Sequence, residues 1–147
     1  MAIVVFALDG VLVDRRRRAE RVAAMLEPGW NAEREDVSRD EPIGHAVDLL
    51  RALHAAGHRV VILSDRPQRL ARRTRQFMAD WRIPFHEMFF RAEGDERDEE
   101  SVRRDLFEDA RLPQANLLGI FDDTPALLDY WSRRGLPCYE VCAAGLG

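Results

Sequence analysis

The feature that most constrains this chain is a rhythm in which short, solid apolar runs alternate with amphipathic stretches of helical length. Runs 2–6 (AIVVF), 59–63 (RVVIL), 86–90 (HEMFF), 116–121 (NLLGIF) and 137–142 (PCYEVC) have strand length. They are continuous rather than alternating in polarity, the pattern of strands buried on both faces of a parallel sheet. Between them, helices are predicted over 44–57, closed by Gly57, and over 67–81, with Pro67 in the first turn. Two more are predicted over 99–110 and 124–135, the last with Thr124 as N-cap, Pro125 at the first helical position and Gly135 beyond the end. Strands alternating with helices predict a doubly wound α/β fold, and 147 residues suit one domain, 1–147. Residues 14–42 break the rhythm with charge runs, Pro28 and Gly29, and one short amphipathic stretch near 18–27. They read as an excursion after the first strand, part helix and part loop, too short for a substantial second domain.

Composition excludes several classes of function. With 46% hydrophobic and 33% charged residues, the balance is that of a globular protein rather than a disordered one. No apolar run approaches the ~20 residues that span a bilayer, and the first residues lack the basic segment of a signal peptide. Cys138 and Cys142 have no histidine close by, which argues against a zinc site or a disulfide framework. A reduced, cytoplasmic protein is expected. A net charge of −4 argues against a broad nonspecific nucleic-acid binder. All basic residues are arginine; without lysine there is no GxxxxGK[ST] phosphate loop.

In an open parallel sheet, ligands bind at the carboxyl ends of the strands. The residues just after each run are Ala7, Asp9 and Gly10, then Ser64, Asp65 and Arg66, then Arg91, Asp95 and Arg97, and finally Asp122 and Asp123. Any one alone is ordinary helix capping. Four successive strand ends bearing such groups predict a meeting point. Acids of the first and fourth ends would make a hard-oxygen site suited to Mg²⁺, with Ser and Arg groups around an anion such as phosphate.

These segments resemble the motifs of the haloacid dehalogenase-like phosphatase superfamily. VVFALDGVL is similar to the first motif, hydrophobic strand then DxDGT[LV]; VVILSDRP to the second, a strand ending in Ser or Thr; IFDDTPALLDYW to the fourth, an acidic pair at a strand end. More narrowly, from Met78 onward the chain resembles the 3′-phosphatase domain of bacteriophage polynucleotide kinases. RAEGDERDEESVRRDLF is similar to that family's R-x-x-G-D-x-R segment leading into a helix, and DDTPALLDYWSRRGLPCYEV to its DDR-x-x-x-V-x-x-W-R-x-x-G-x-x-C ending. The likeness covers nearly the whole chain except 15–42. It implies a Rossmann-like parallel sheet of about five strands in order 3-2-1-4-5, helices on both faces and a minimal cap.

The resemblance also implies roles. The first Asp of the motif attacks phosphorus, forming an aspartyl-phosphate; the Asp two residues later protonates the leaving group and then activates water. The second matches Asp9, whose backbone carbonyl would also ligate Mg²⁺. Ser64 and Gly10 would contact the phosphate, and Arg66 and Arg91 would grip the substrate backbone. The motif-three cation, usually Lys, matches Arg103, with Arg104 beside it. Asp122 would ligate Mg²⁺ directly, with Asp123 a ligand or a holder of bound water. The nucleophile position, however, falls on Ala7, and a methyl group cannot attack phosphorus.

The expected function is therefore a Mg²⁺-dependent phosphomonoesterase scaffold for the 3′-phosphate of a nucleic-acid end, inactive or nearly so as the chain stands. Two origins for Ala7 fit: an engineered Asp→Ala change that traps substrate, which retention of the other site residues favours, or a natural pseudo-phosphatase. Alternative functions are a phosphatase for a nucleotide or other small phosphomonoester, and a module binding phosphorylated ends or a protein partner. A receiver-like signalling domain would need a lysine. A separate kinase or ligase partner is compatible. RRRR at 15–18 is either a phosphate contact or a solvated helix face pairing with Glu20. Trp81, Trp131 and Phe107, at helical spacing, are expected in the core.

Overall fold

The computed structural model describes residues 1–16, 37 and 39–142. Five parallel strands form one sheet in the order β3-β2-β1-β4-β5: β1 (Ile3–Ala7), β2 (Arg59–Pro67), β3 (Glu87–Arg91), β4 (Leu117–Asp122) and β5 (Cys138–Glu140). The helices are α1 (Gly44–Ala55), α2 (Ala71–Asp80), α3 (Glu99–Ala110) and α4 (Pro125–Arg133). The excursion's residues 17–36 and 38 lie outside the described set, as do Arg17, Arg18 and Glu20.

β1 is buried at every position, as its solid apolar composition requires for a central strand. Its side chains alternate between two cores. Val4 and Phe6 pack with Ala46, Val47 and Leu50 of α1 and Phe77 and Met78 of α2. Ile3 and Val5 pack on the other face with Phe107 of α3 and Leu127 and Trp131 of α4. The fold is thus the doubly wound α/β sheet expected, and its order puts the ends of β1, β2 and β4 side by side.

Two local expectations are corrected. Pro67 does not open a helix: it ends β2 opposite Arg91, with extended backbone, and a 3-10 turn (Gln68–Leu70) leads into α2. A proline lacks the N–H that a central ladder would use, but is tolerated at a strand terminus. Trp81 is not core; it follows α2 with 45% of its surface exposed, whereas Trp131 and Phe107 are buried edge to face. Thr124 is the N-cap of α4 with Pro125 following it, as expected; it makes no side-chain cap hydrogen bond, and its hydroxyl accepts from Arg103.

Candidate functional site

After Ala7, buried at the end of β1, the chain turns sharply: the N–H groups of Val11, Leu12 and Val13 all donate to the Leu8 carbonyl. Gly10 makes this turn with φ of +87°, a region costly for other residues. A Cβ there would sit 2.2 Å from Asp123 Oδ2, so the missing side chain is what lets the β4 end close against the β1 turn. On β2, the register against β3 breaks between Leu63 and Pro67. Ser64, Asp65 and Arg66 occupy that break, where a strand can re-aim its side chains.

Asp9 is buried and bound by one guanidinium: Arg66 Nε and Nη2 donate to its two oxygens, each at 2.9 Å. Arg66 also donates to Asp40 Oδ2 at 2.7 Å and Thr74 Oγ1 at 2.9 Å. Burial opposes the Arg66 charge, yet Asp9 and Asp40 more than offset it and hold the guanidinium protonated. Ser64 Oγ accepts from the Arg66 N–H at 3.1 Å, bracing the same segment.

Arg103, on α3, is completely buried. Its Nη2 lies 3.4 Å from Asp122 Oδ1 and donates to Thr124 Oγ1, and its Nη1 is 3.6 Å from Asp65 Oδ1. Arg103 Nε and Nη1, and Asp65 Oδ1, are buried without a hydrogen-bond partner. Arg104 points outward and lies over the Tyr130 ring, so of the two adjacent arginines only Arg103 reaches the strand ends. Burial, together with the charges of Asp9 and Glu99, pushes the Asp65 carboxyl up to about 6 against the pull of Arg103. Asp122 is also raised by burial, opposed by Arg103; its Oδ1 accepts from the N–H groups of Asp123 and Thr124.

Arg15 bridges Asp123 Oδ2 at 2.9 Å and Glu99 Oε2 at 3.0 Å, tying the start of the excursion to β4 and α3. Arg91 is buried and donates to the carbonyls of Asp65, Asp95 and Arg97, leaving Nη2 without a partner. Arg97 bonds Asp95 and Asp105 at the exposed entry to α3. The strand ends therefore assemble Ala7, Asp9, Gly10, Ser64, Asp65, Arg66, Arg103, Asp122 and Asp123. Arg91 braces this group from behind and Asp95 and Arg97 stand outside it. Sequence reasoning missed Asp40, Thr74 and Glu99 as members, and raised Arg15 only within RRRR at 15–18, as a phosphate contact or a solvated helix face. Glu99 had a signal as an acid in the first turn of a helix aimed at the site; Asp40 sits in no motif.

Among the described residues, no three Asp, Glu, His or Cys side chains form a group that could hold a metal ion. Mg²⁺ asks for less, using one or two carboxylates together with waters and phosphate oxygens. Asp122, Asp123 and the Asp9 carbonyl supply that chemistry, and the acid surplus that elevates Asp65 favours a cation. The residues present thus fit Mg²⁺, with a methyl group at Ala7 where the motif supplies a carboxylate.

Comparison with known proteins places this geometry. Two solved structures share the fold. One, "Structure of Pnkp1/Rnl/Hen1 complex", has TM-score 0.78 and 24% identity, covering 98% of this chain and 47% of that one. The other, "Structure of the Pnkp1/Rnl/Hen1 RNA repair complex", has TM-score 0.77 and 25% identity, covering 95% and 42%. This chain spans less than half the length of either. A hydrolase from Streptococcus pneumoniae TIGR4 shares the fold more distantly, with TM-score 0.59 and 14% identity over 94% of this chain and 91% of that one. The family model described as "Polynucleotide kinase PNKP phosphatase domain" matches residues 1–145. With its strand-end acids, buried arginine and parallel sheet, the chain belongs to the family of polynucleotide kinase PNKP phosphatase domains.

Proposed function

We propose that this chain is a polynucleotide 3′-phosphatase scaffold that binds a 3′-phosphorylated end and, with Ala7 at the nucleophile position, does not turn it over. The observation that carries the reading is Arg103: a completely buried guanidinium at the strand ends with two N–H-bearing nitrogens unpartnered. Buried N–H groups without hydrogen bonds are costly even beside the Asp65 and Asp122 carboxylates, and an anion accepting from Nε and Nη1 removes that cost. The RNA repair complexes similar to this chain support a nucleic-acid end as the anion's source and kinase or ligase proteins as partners.

With Asp at position 7, one carboxylate oxygen attacks phosphorus while the bond to the leaving oxygen breaks, and that oxygen takes a proton from Asp9. Asp9 then removes a proton from water as it attacks the acyl phosphate, releasing inorganic phosphate and restoring the carboxylate. Asp122, Asp123 and the Asp9 carbonyl would hold Mg²⁺, which would supply positive charge against the phosphoryl oxygens. Ser64 donates to a phosphoryl oxygen, and Arg103 neutralises charge on the transferring group. Asp9 can carry a proton only after loosening from Arg66, since a carboxylate holding both arms of a guanidinium is an acceptor alone. Asp40 keeps a charge partner on Arg66 when it does. In this structure Arg66 binds protein groups and must exchange a partner to contact a substrate backbone, whereas Arg91 holds Nη2 without a hydrogen-bond partner.

The test is Ala7→Asp, assayed with Mg²⁺ on a 3′-phosphorylated oligonucleotide and on an aryl phosphate. Phosphate release from both, with the parent chain far slower, is expected. No release from either substrate overturns the enzyme scaffold. Release from the aryl phosphate alone transfers the reading to small phosphomonoesters. Equal rates for the parent chain show that residue 7 is not the nucleophile position.

A further inference from the structure

The crossover between β2 and β3 is, with RRRR at 15–18, one of two arginine-dense stretches in the chain. The protein is acidic overall, at −4, yet residues 66–82 hold six arginines and a single acid, Asp80. Arg66 is buried in the site cluster, while Arg69, Arg72, Arg73 and Arg75 are exposed on and just before α2. Arg69 leans on Glu93, as Arg97, Arg133 and Arg134 elsewhere lean on carboxylates. On α2, Arg72 and Arg75 have no carboxylate partner among the described residues, and Arg75 lies over the Phe90 ring.

This arrangement works against the helix that carries it. The first turn of α2 has no acid, although the positive end of the helix dipole favours acids and disfavours arginines there. Arg72 and Arg75 are three apart on one exposed face, a like-charge spacing that destabilises an isolated helix. A polyanion lying along that face reverses both terms. The helix is also coupled to the site, because Thr74 accepts from the Arg66 guanidinium that holds Asp9. From Thr74 the helix runs about 10 Å, at 1.5 Å per residue, to the exposed indole of Trp81. Trp81 lines a cavity of about 420 Å³ together with Arg73, Gln76 and Phe77 and with two acids, Asp40 and Asp80.

We propose that the outer face of α2 is the docking surface for a single-stranded polynucleotide whose 3′-phosphate enters the strand-end site. Arg72 and Arg75 take backbone phosphates, and Trp81 stacks on a base beyond them. The occupant is argued from charge complementarity between an arginine-dense face and a polyanion, and from an exposed aromatic at its far end. The assignment rests on the phosphatase-scaffold reading.

The test uses the chain as it exists, which holds substrate without consuming it. Affinities for a short 3′-phosphorylated single-stranded oligonucleotide are measured by anisotropy at salt concentrations from about 50 to 200 mM. A nucleoside 3′-phosphate, measured by calorimetry, reports on the strand-end site alone. Arg72→Gln with Arg75→Gln is expected to weaken the oligonucleotide at least tenfold and to lower the slope of log affinity against log salt by about 1.4, since each phosphate contact on a single strand contributes about 0.7. Trp81→Ala is expected to weaken it about tenfold with little change in slope. Neither change alters nucleoside 3′-phosphate binding. Oligonucleotide binding that is unchanged in the arginine pair, or that falls equally in an Arg133→Gln, Arg134→Gln control, overturns the docking surface and leaves α2 a solvated face or a site for an acidic protein. An oligonucleotide bound no more tightly than the nucleoside 3′-phosphate also overturns it while sparing the phosphatase reading. If neither ligand binds the parent chain, both fall.

Discussion

Both carboxylate oxygens of Asp9 are held by Arg66, each at 2.9 Å, and the same guanidinium reaches Asp40 at 2.7 Å. One cation therefore compensates two buried acids. Arg66→Ala leaves both without it, and breaking a buried ion cluster from one side costs about 3–5 kcal/mol. Chemical denaturation at neutral pH is expected to show a loss of that order. Arg66→Lys, which keeps the charge and loses the fork, falls between the two.

Asp65 makes stability depend on pH. Its carboxyl rises from 3.8 to about 6 in the fold because burial and the neighbouring acids disfavour its charged form. A raised folded pKa means that the native state holds the proton more tightly than the unfolded chain. Asp65's contribution is therefore full below pH 3.8 and is lost as pH rises through about 6. A shift of this size corresponds to at most about 3 kcal/mol. Asp65→Asn removes this dependence, so its stability relative to the parent improves between about pH 4 and 7, as denaturation at a series of pH values would show.

Gly10→Ala strains two things at once. The backbone at φ of +87° disfavours any L side chain by about 1–2 kcal/mol, and the new methyl overlaps Asp123 Oδ2. The variant is expected to melt earlier and to bind Mg²⁺ more weakly, because Asp123 is pushed from its place. Mg²⁺ titration by calorimetry, beside a thermal melt, separates the two effects.

Ala7→Asp changes the metal dependence of stability. A carboxylate at a buried strand end near Asp9 and Asp65 adds repulsion, so the metal-free variant is expected to be less stable than the parent. Mg²⁺ at a hundred times its dissociation constant returns about 2.7 kcal/mol. In a domain of this size that raises Tm by roughly 5–10 °C. The parent, one carboxylate short, shows a smaller shift in the same melting experiment with and without Mg²⁺.

The parallel sheet was legible because its strands are solid apolar runs, and the site because β1, β2 and β4 end in polar residues that any such sheet brings together. Pro67 was misplaced because proline suits a first helical turn and a strand end equally well; only the pairing opposite Arg91 decides between them. Trp81 was misplaced because helical spacing cannot say which residue lies past the end of the buried stripe. Arg103 was ambiguous with Arg104 in sequence, and helix rotation separates them, one wholly buried and the other exposed. Asp40 was invisible, since a lone acid in a charged loop carries no mark of the arginine it will meet.

The two arginine clamps have a consequence for how this protein can vary. At one end of the excursion Arg15 grips Asp123 and Glu99, and at the other Asp40 is gripped by Arg66. The chain between these points is bolted to the sheet at both ends by side chains that belong to the site itself. Arg15 and Asp40 are therefore the least replaceable of the described residues here, because changing either takes from a site residue a partner it holds: Asp123 in the first case and Arg66 in the second.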